Sequence, residues 1–257
     1  METLMGKNTQ TSDLKPMDFL ALERKRAEWI NQTPGNLKDY DCSDCLNRGY
    51  FAVIHDDGCR ANRPCRCMAI RASRDRLRKS GLEDLVSQYS FDAWQVREPW
   101  QQVVLDRAKA YVEEPEGWLV LSGRPGTGKS HICTAAACGL IEKGMDTQYM
   151  LWRDVSVQAK AVVNDDEAYA KIVEPLKRAE VLYIDDFFKG GASKGDCNLA
   201  FELINARYAD RRKLTILSTE KTIQQILEID EAIGSRIYER SKGNYLDLSK
   251  GKNWRLG

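Results

Sequence analysis

The sequence predicts an α/β fold: a parallel sheet of about five strands with helices on both faces, preceded by a small separate module. Three observations predict it. Short apolar runs near residues 118–121, 148–152, 181–184, 214–217 and 245–248 alternate with helix-period segments, as βαβ units require. A glycine-rich loop at 123–130 joins the first of these runs to a helix. Five of the eight cysteines crowd between Cys42 and Cys67, ahead of the first run.

Each element has its own signal. Residues 1–13 are polar and read as mobile. Residues 16–30 carry Phe19, Leu20, Leu22, Ala27, Trp29 and Ile30 at roughly helical spacing, and Thr33-Pro34-Gly35 breaks that helix. The cysteines follow, then a basic stretch from Arg60 to Lys79 in which Asp75 is the one acid, closed by Ser80-Gly81. A helix pattern over 100–112 leads into the strand 118–121. The helix after the glycine loop spans 129–143, with Gly144 as its C-terminal cap. Two helical stretches separate the second strand from the third, which ends in Asp185-Asp186. A helix over 197–208 precedes the fourth strand, which ends in Ser218-Thr219. Helices 222–229 and 231–240 come before the short last strand. The expected division is residues 1–80 for the first module and 85–257 for the α/β domain, an ordinary domain size.

Composition narrows the function classes. With 39 basic and 38 acidic residues, net charge gives no global argument for nucleic acid or membrane. No apolar run approaches the roughly 20 residues of a membrane span, and Met1 to Leu20 lacks the apolar core of a signal peptide. A cytoplasmic protein is expected. In that compartment the crowded cysteines suggest metal rather than disulfides, whereas Cys133, Cys138 and Cys197 read as small buried hydrophobes.

The loop Gly123-Arg124-Pro125-Gly126-Thr127-Gly128-Lys129-Ser130 has the spacing G-x-x-x-x-G-K-[ST]. Its glycines let the backbone curl so that amide N–H groups face phosphate oxygens, and the dipole of the following helix faces the same anion. Lys129 would reach the β- and γ-phosphates, and the Ser130 hydroxyl would ligate Mg²⁺. Asp185-Asp186 complements it: one carboxylate can hold Mg²⁺ through water, and the other can polarise the attacking water. Ser218 or Thr219 can orient that water; an ordinary turn is the alternative. Arg236 and Arg240 lie on a short helix and can neutralise transition-state charge, or simply face solvent.

The order of these motifs resembles a known family. The loop continues into His131. Ile184-Asp185-Asp186-Phe187, Ile204-Asn205-Ala206-Arg207-Tyr208 and the Ser218-Thr219 strand end follow, and then Gly234-Ser235-Arg236-Ile237-Tyr238-Glu239-Arg240. Residues 85–257 resemble the AAA+ ATPases of the DnaC/IstB group, which includes bacterial and phage replicative helicase loaders of the DnaC and DnaI kind and transposition helper ATPases. The resemblance implies a P-loop AAA+ core with a reduced lid. It places Gly123 to His131 on ATP and Asp185-Asp186 at Walker B. It also puts Ser218 or Thr219 at sensor 1 and Arg236 at the arginine-finger position. Asp186 stands where many of these ATPases carry Glu, and its shorter reach suits a slow, switch-like enzyme. Arg255 is a stand-in for a lid arginine.

The cysteines form two close pairs, Cys42-x₂-Cys45 and Cys65-x-Cys67. Such pairs can bring four sulfurs tetrahedrally around Zn²⁺, with the intervening residues folding as a small hairpin. Cys59 or His55 could replace one ligand. Helicase loaders of low-GC Gram-positive bacteria and their phages resemble this arrangement, which implies Cys42, Cys45, Cys65 and Cys67 as the metal set. The basic stretch that follows, with Arg71, Arg74 and Arg78 on one side of a helix, reads either as a nucleic-acid contact or as a solvated linker helix.

Together these features lead to an expectation. The protein is an ATP-dependent loader of a hexameric replicative helicase that binds single-stranded DNA, self-associates through AAA+ interfaces and uses ATP, Mg²⁺ and Zn²⁺. Two alternatives are an IstB-like transposition helper ATPase and a zinc-dependent adaptor with a vestigial nucleotide site.

Overall fold

The computed structural model of the 257-residue chain describes residues 16–78, 88–249 and 251–253. Arg255, Ser80-Gly81 and the stretch up to residue 13 lie outside the described residues. The chain forms two compact units, Met1–Met68 and Ala69–Gly257.

In the first unit, α1 (Pro16–Gln32) precedes a hairpin of β1 (Tyr50–Ile54) and β2 (Arg60–Pro64). The strands pair antiparallel, with Tyr50 opposite Pro64 and Ile54 opposite Arg60. Asn31 docks α1 on the hairpin edge like an extra strand residue. Its Nδ2 donates to the Ala52 carbonyl and its Oδ1 accepts the Ala52 N–H, both at 2.9 Å. The buried hydrophobic residues described here are few: Ala27, Ala52 and four cysteines, flanked by Tyr40 and Phe51. A core that small does not stabilise a domain unaided.

The second unit takes most of α2 (Cys67–Leu77). The basic residues of this helix are partly spent on internal pairs. Arg74 meets Glu142 at 3.2 Å, Arg76 pairs with Asp146, and Thr147 N–H donates to Ser73 Oγ at 3.3 Å. Next come α3 (Pro99–Glu113), β3 (Trp118–Ser122), α4 (Lys129–Glu142), β4 (Thr147–Leu151), α5 (Trp152–Ala161), α6 (Asp166–Arg178) and β5 (Val181–Phe187). They are followed by α7 (Lys194–Ala209), β6 (Leu214–Thr219), α8 (Ile223–Ile229), α9 (Glu231–Arg240) and β7 (Tyr245–Asp247).

The five strands of this unit are parallel, in the order β4-β5-β6-β3-β7. Alternation along each strand divides the core into two layers. Val120, Leu182, Ile184 and Leu217 face the layer holding Trp152, Phe187, Leu203 and Ile237. Leu119, Leu121, Tyr183 and Ile216 face the layer holding Ala108, Ile132, Ala136 and Leu140. Burial on both faces explains why the strands read as continuous apolar runs.

Most element ends shift by a residue or two from the sequence expectation, and three of the shifts have a physical reason. Trp152 opens α5 rather than closing β4, because its ring is buried edge-on against Phe187 at 4.7 Å. α7 begins at Lys194, three residues early, where Ser193 and Asp196 form a reciprocal capping box. β5 runs on to Phe187 through a bulge between Ile184 and Phe187.

Candidate functional site

The strand order builds the site. β6 lies between β3 and β5, so the chain after β3 and the chain after β5 leave the sheet on either side of it. That divergence opens a crevice at the C-terminal strand ends. Ser122 is opposite Thr219, and Ile184 is opposite Leu217. The glycine loop, the two aspartates and Ser218 therefore converge by register.

In the loop, Gly126 and Gly128 take φ of 77° and 87°, a left-handed backbone that side chains rarely adopt. A Cβ on Gly128 would come within 2.4 Å of the Trp94 ring, and one on Gly126 would collide with the Asn253 side chain. Thr127 Oγ1 closes the loop by donating to the Arg124 carbonyl at 2.9 Å. Lys129 is buried, and its ammonium donates to the carbonyls of Gly123 and Arg124, both at 2.8 Å. Burial pushes its pKa down, while Glu220 and Asp186 pull it back up. The loop, its lysine and the α4 N-terminus thus form a concave cationic cradle that suits a polyphosphate.

Asp185 is buried at the end of β5. Its Oδ1 accepts from Ser130 Oγ at 3.0 Å and also from Ser218 Oγ. A hydroxyl and a carboxylate oxygen are hard donors, the chemistry Mg²⁺ takes. Asp186 sits in the bulge at φ 55°; its N–H donates to Ser218 Oγ at 2.9 Å, and its carboxylate pairs with Lys189 at 2.7 Å. Ser218 therefore touches both acids. Thr219, pointing to the opposite side of β6, donates to the Phe187 carbonyl at 2.9 Å and does not line the crevice.

The crevice is a cavity of about 170 Å³ lined at its phosphate end by Lys129, Ser130, Asp186, Lys189 and Glu220. Tyr89 and His131 also line it and stack at 4.7 Å between centroids, with Trp94 edge-on to His131 at 5.3 Å. The His131 Nε2 faces the Ser90 carbonyl at 2.8 Å, so that nitrogen carries the proton. Burial lowers the pKa of the ring. Arg124 and Pro125 are exposed, and Pro125 also lines the cavity.

Arg236 is not among the cavity residues. It lies on α9 across the rings of Phe201 (5.4 Å) and Tyr208 (5.5 Å), with Nη1 donating to the Ala232 carbonyl at 2.7 Å. Its Nε is buried without a partner. Arg240, in contrast, is buried and spends its guanidinium on the carbonyls of Tyr208, Asp210, Arg211 and Lys213. Sequence reasoning missed Tyr89, Trp94, Lys189 and Glu220. The last two had a signal: Glu220 directly follows β6 and Lys189 lies two residues beyond β5, at the C-terminal strand ends where ligands of open α/β sheets bind. No sequence pattern marked the two aromatics.

In the first unit, Cys42, Cys45, Cys65 and Cys67 bring their sulfurs within 4.8 Å of one another. Cys42 to Cys65 is 3.8 Å and Cys45 to Cys67 is 3.6 Å. A tetrahedron with metal–sulfur bonds of about 2.3 Å has edges of about 3.8 Å, so the four fit a structural metal site. Burial pushes the Cys45 thiol up, but the Gly49 N–H, at 3.2 Å from its sulfur, and the three neighbouring cysteines outweigh this and hold it at about 7. Burial raises Cys65. His55 and Cys59 are exposed at the closing end of the hairpin, a full strand away from Cys65, and are not part of the cluster.

The sequence profile of the IstB-like ATP binding proteins matches residues 60–241. The Phage-like element PBSX protein XkdC of Bacillus subtilis (strain 168) is 30% identical over 233 residues, covering 84% of this chain and 85% of that protein. The Replicative helicase loader DnaC of Escherichia coli (strain K12) is 26% identical over 173 residues, covering 65% of this chain and 69% of that one. In fold, the chain resembles the crystal structure of the DnaC helicase loader. That likeness has a TM-score of 0.56 at 22% identity and covers 63% of this chain and 97% of the other. Among the described residues, no helix is long and apolar enough to cross a membrane. The profile spans most of the sequence, from before the glycine loop to beyond Arg236, and the chain belongs to the IstB-like ATP binding protein family.

Proposed function

We propose that the protein is an ATP-dependent loader of a hexameric replicative helicase. One observation carries the ATPase part: Ser130 Oγ and Asp185 Oδ1 meet at 3.0 Å at the mouth of the Gly123–Lys129 cradle. The amides of the loop would bind the phosphates, and Lys129 would neutralise the terminal ones. Ser130 and Asp185 would hold Mg²⁺, which supplies Lewis-acid charge at the phosphoryl group. Asp186 would polarise the attacking water, with Ser218 fixing its backbone, to give ADP and phosphate. Turnover is slow and is stimulated by single-stranded DNA or by the helicase. Arg236, absent from its own cavity, would act on the site of a second copy through an AAA+ interface.

The four cysteines would hold Zn²⁺ as a structural ion. Residues 1–80 would grip the helicase, and residues 85–257 would bind ATP and single-stranded DNA in the cytoplasm. The likeness to XkdC covers more of the chain than the larger unit holds, so it reaches into the cysteine unit; this supports one shared role for both units. The likeness to DnaC points that role at a helicase.

Purified protein is expected to hydrolyse ATP, and faster with single-stranded DNA. It is also expected to co-purify with a hexameric replicative helicase, and to lose that partner on deletion of residues 1–80. No ATP binding or hydrolysis under any condition would remove the ATPase reading. ATP hydrolysis with capture of a transposase instead of a helicase would replace the loader by the transposition helper.

A further inference from the structure

Lys189 enters the phosphate end of the cavity with no task in the scheme above. Its ammonium lies 2.7 Å from Asp186 Oδ2 and 3.5 Å from Glu220 Oε1. All three side chains line the cavity beside Lys129 and Ser130. The backbone that carries it is anchored. Phe187 and Phe188, the two residues before it, are buried and pack edge-on to Trp152 at 4.7 and 5.4 Å. Lys189 N–H then donates to the Asp186 carbonyl at 3.0 Å, closing a turn in which Asp186 and Phe188 take φ of 55° and 56°. A left-handed backbone at two non-glycine residues costs free energy, and it persists where the surroundings over-determine it, typically at functional sites.

The charges around the cavity make Lys189 consequential. Asp186 and Glu220 place two carboxylates where the terminal phosphate of a nucleotide cradled at Gly123–Ser130 would arrive. Among the described residues, the ammonium groups lining the cavity are Lys129 and Lys189, and Lys129 is already directed at the loop carbonyls. Lys189 alone bridges the two acids. Its hydrogen bond to Asp186 raises its pKa, against the opposing effect of burial, so it stays cationic. An ammonium on a four-carbon stem has three donors and can redirect one of them without leaving its place.

We infer that Lys189 reads the terminal phosphate: it distinguishes a nucleoside triphosphate from a diphosphate by exchanging the Asp186 carboxylate for a terminal-phosphate oxygen. Glu220 keeps the ammonium in the cavity through the exchange. The Asp186 carboxylate is left free to accept a hydrogen bond from water. Triphosphate recognition and release of the water-polarising acid become one event. A surface ion pair would do neither, because such a pair stabilises little and is indifferent to the ligand.

The inference rests on the nucleotide-site reading, and one experiment tests both separately. Dissociation constants of fluorescent ATP and ADP analogues are measured with Mg²⁺ on the full chain as wild type, Lys189→Met, Lys189→Gln and Lys189→Arg. The expected result is an ATP affinity about tenfold weaker for the Met and Gln variants, the scale of one charge-assisted hydrogen bond, with ADP within about twofold of wild type. The Arg variant is expected to recover most of the ATP affinity. Equal losses for ATP and ADP, or no loss for either, overturn the role of Lys189 and leave the nucleotide site standing. Wild-type protein that binds neither analogue overturns both.

Discussion

Arg207 shows what a single side chain contributes to the platform beneath the crevice. It is fully buried on α7, yet it is ionic. Its guanidinium donates to Thr215 Oγ1 at 3.0 Å and to the carbonyls of Leu176, Ala179, Glu180 and Leu214. Those groups belong to the end of α6, the approach to β5 and the start of β6, so one side chain fixes the spacing of the strands that carry Asp185 and Ser218. Burial lowers its pKa to about 10, still well above neutral pH, so the charge persists. Arg207→Ala leaves several buried carbonyls without donors and is expected to destabilise the protein by about 3–5 kcal/mol. In urea the unfolding midpoint should fall while the slope stays unchanged. Ser218 is the opposite case, a side chain that matters to chemistry more than to stability. It bonds both the Asp185 carboxylate and the Asp186 N–H. Ser218→Ala is expected to lower kcat for ATP hydrolysis by about tenfold to a hundredfold. The affinity for ATP should stay within about twofold, because the loop and Lys129 are untouched. A parallel loss of ATP affinity would assign Ser218 to binding instead.

At the scale of elements, the start of α7 depends on a titrating group. Asp196 is buried in its first turn, where it completes the capping box with Ser193 and pairs with Lys160 of α5 at 2.6 Å. Burial pushes its carboxyl up, but the bonds from Lys160 and Ser193 outweigh this and hold it below the usual aspartate range. A carboxylate whose pKa is lowered in the folded state stabilises the fold above its unfolded pKa, and that contribution disappears as pH falls through the folded one. Asp196→Asn is therefore expected to cost about 1 kcal/mol at neutral pH and progressively less below about pH 4, measured as thermal midpoints against pH. A deficit that stayed constant down to pH 2 would contradict that account. The sequence showed this helix but not its start, because the Ser-x-x-Asp box was masked by the glycines before it. The same contrast runs through the crevice. The glycine loop and the acid pair were legible because their spacing is fixed by phosphate geometry. The bulge in β5 was not, since it depends on Phe187 and Phe188 both finding room against Trp152. That bulge turns Asp186 toward Lys189 and sets Ser218, rather than Thr219, beside the acids. The four cysteines were legible as a set, but the exclusion of His55 and Cys59 needed the hairpin, which carries them to its far end.

For the whole molecule, the two units are held together internally by different physics, and this separates their responses to a chelator. The larger unit buries two continuous apolar layers on either side of its sheet. The smaller one has a described core of four sulfurs with two alanines, so its folding free energy depends on what the sulfurs bind. Every residue placed around the nucleotide cavity, from Tyr89 to Glu220, belongs to the larger unit. Metal analysis is expected to give one zinc per chain. A chelator strong enough to strip a four-thiolate site should make residues 16–68 sensitive to protease and remove their share of the circular dichroism. Binding of a fluorescent ATP analogue to the same stripped sample should persist within about twofold, because a domain with its own core keeps its fold when its neighbour unfolds. Cys42→Ser with Cys45→Ser should reproduce the stripped state without chelator. Capture of the helicase should then fail while ATP binding survives. Loss of both together would mean that the cysteine centre supports the nucleotide site as well, and that the chain works as one cooperative body rather than as an anchor and a switch.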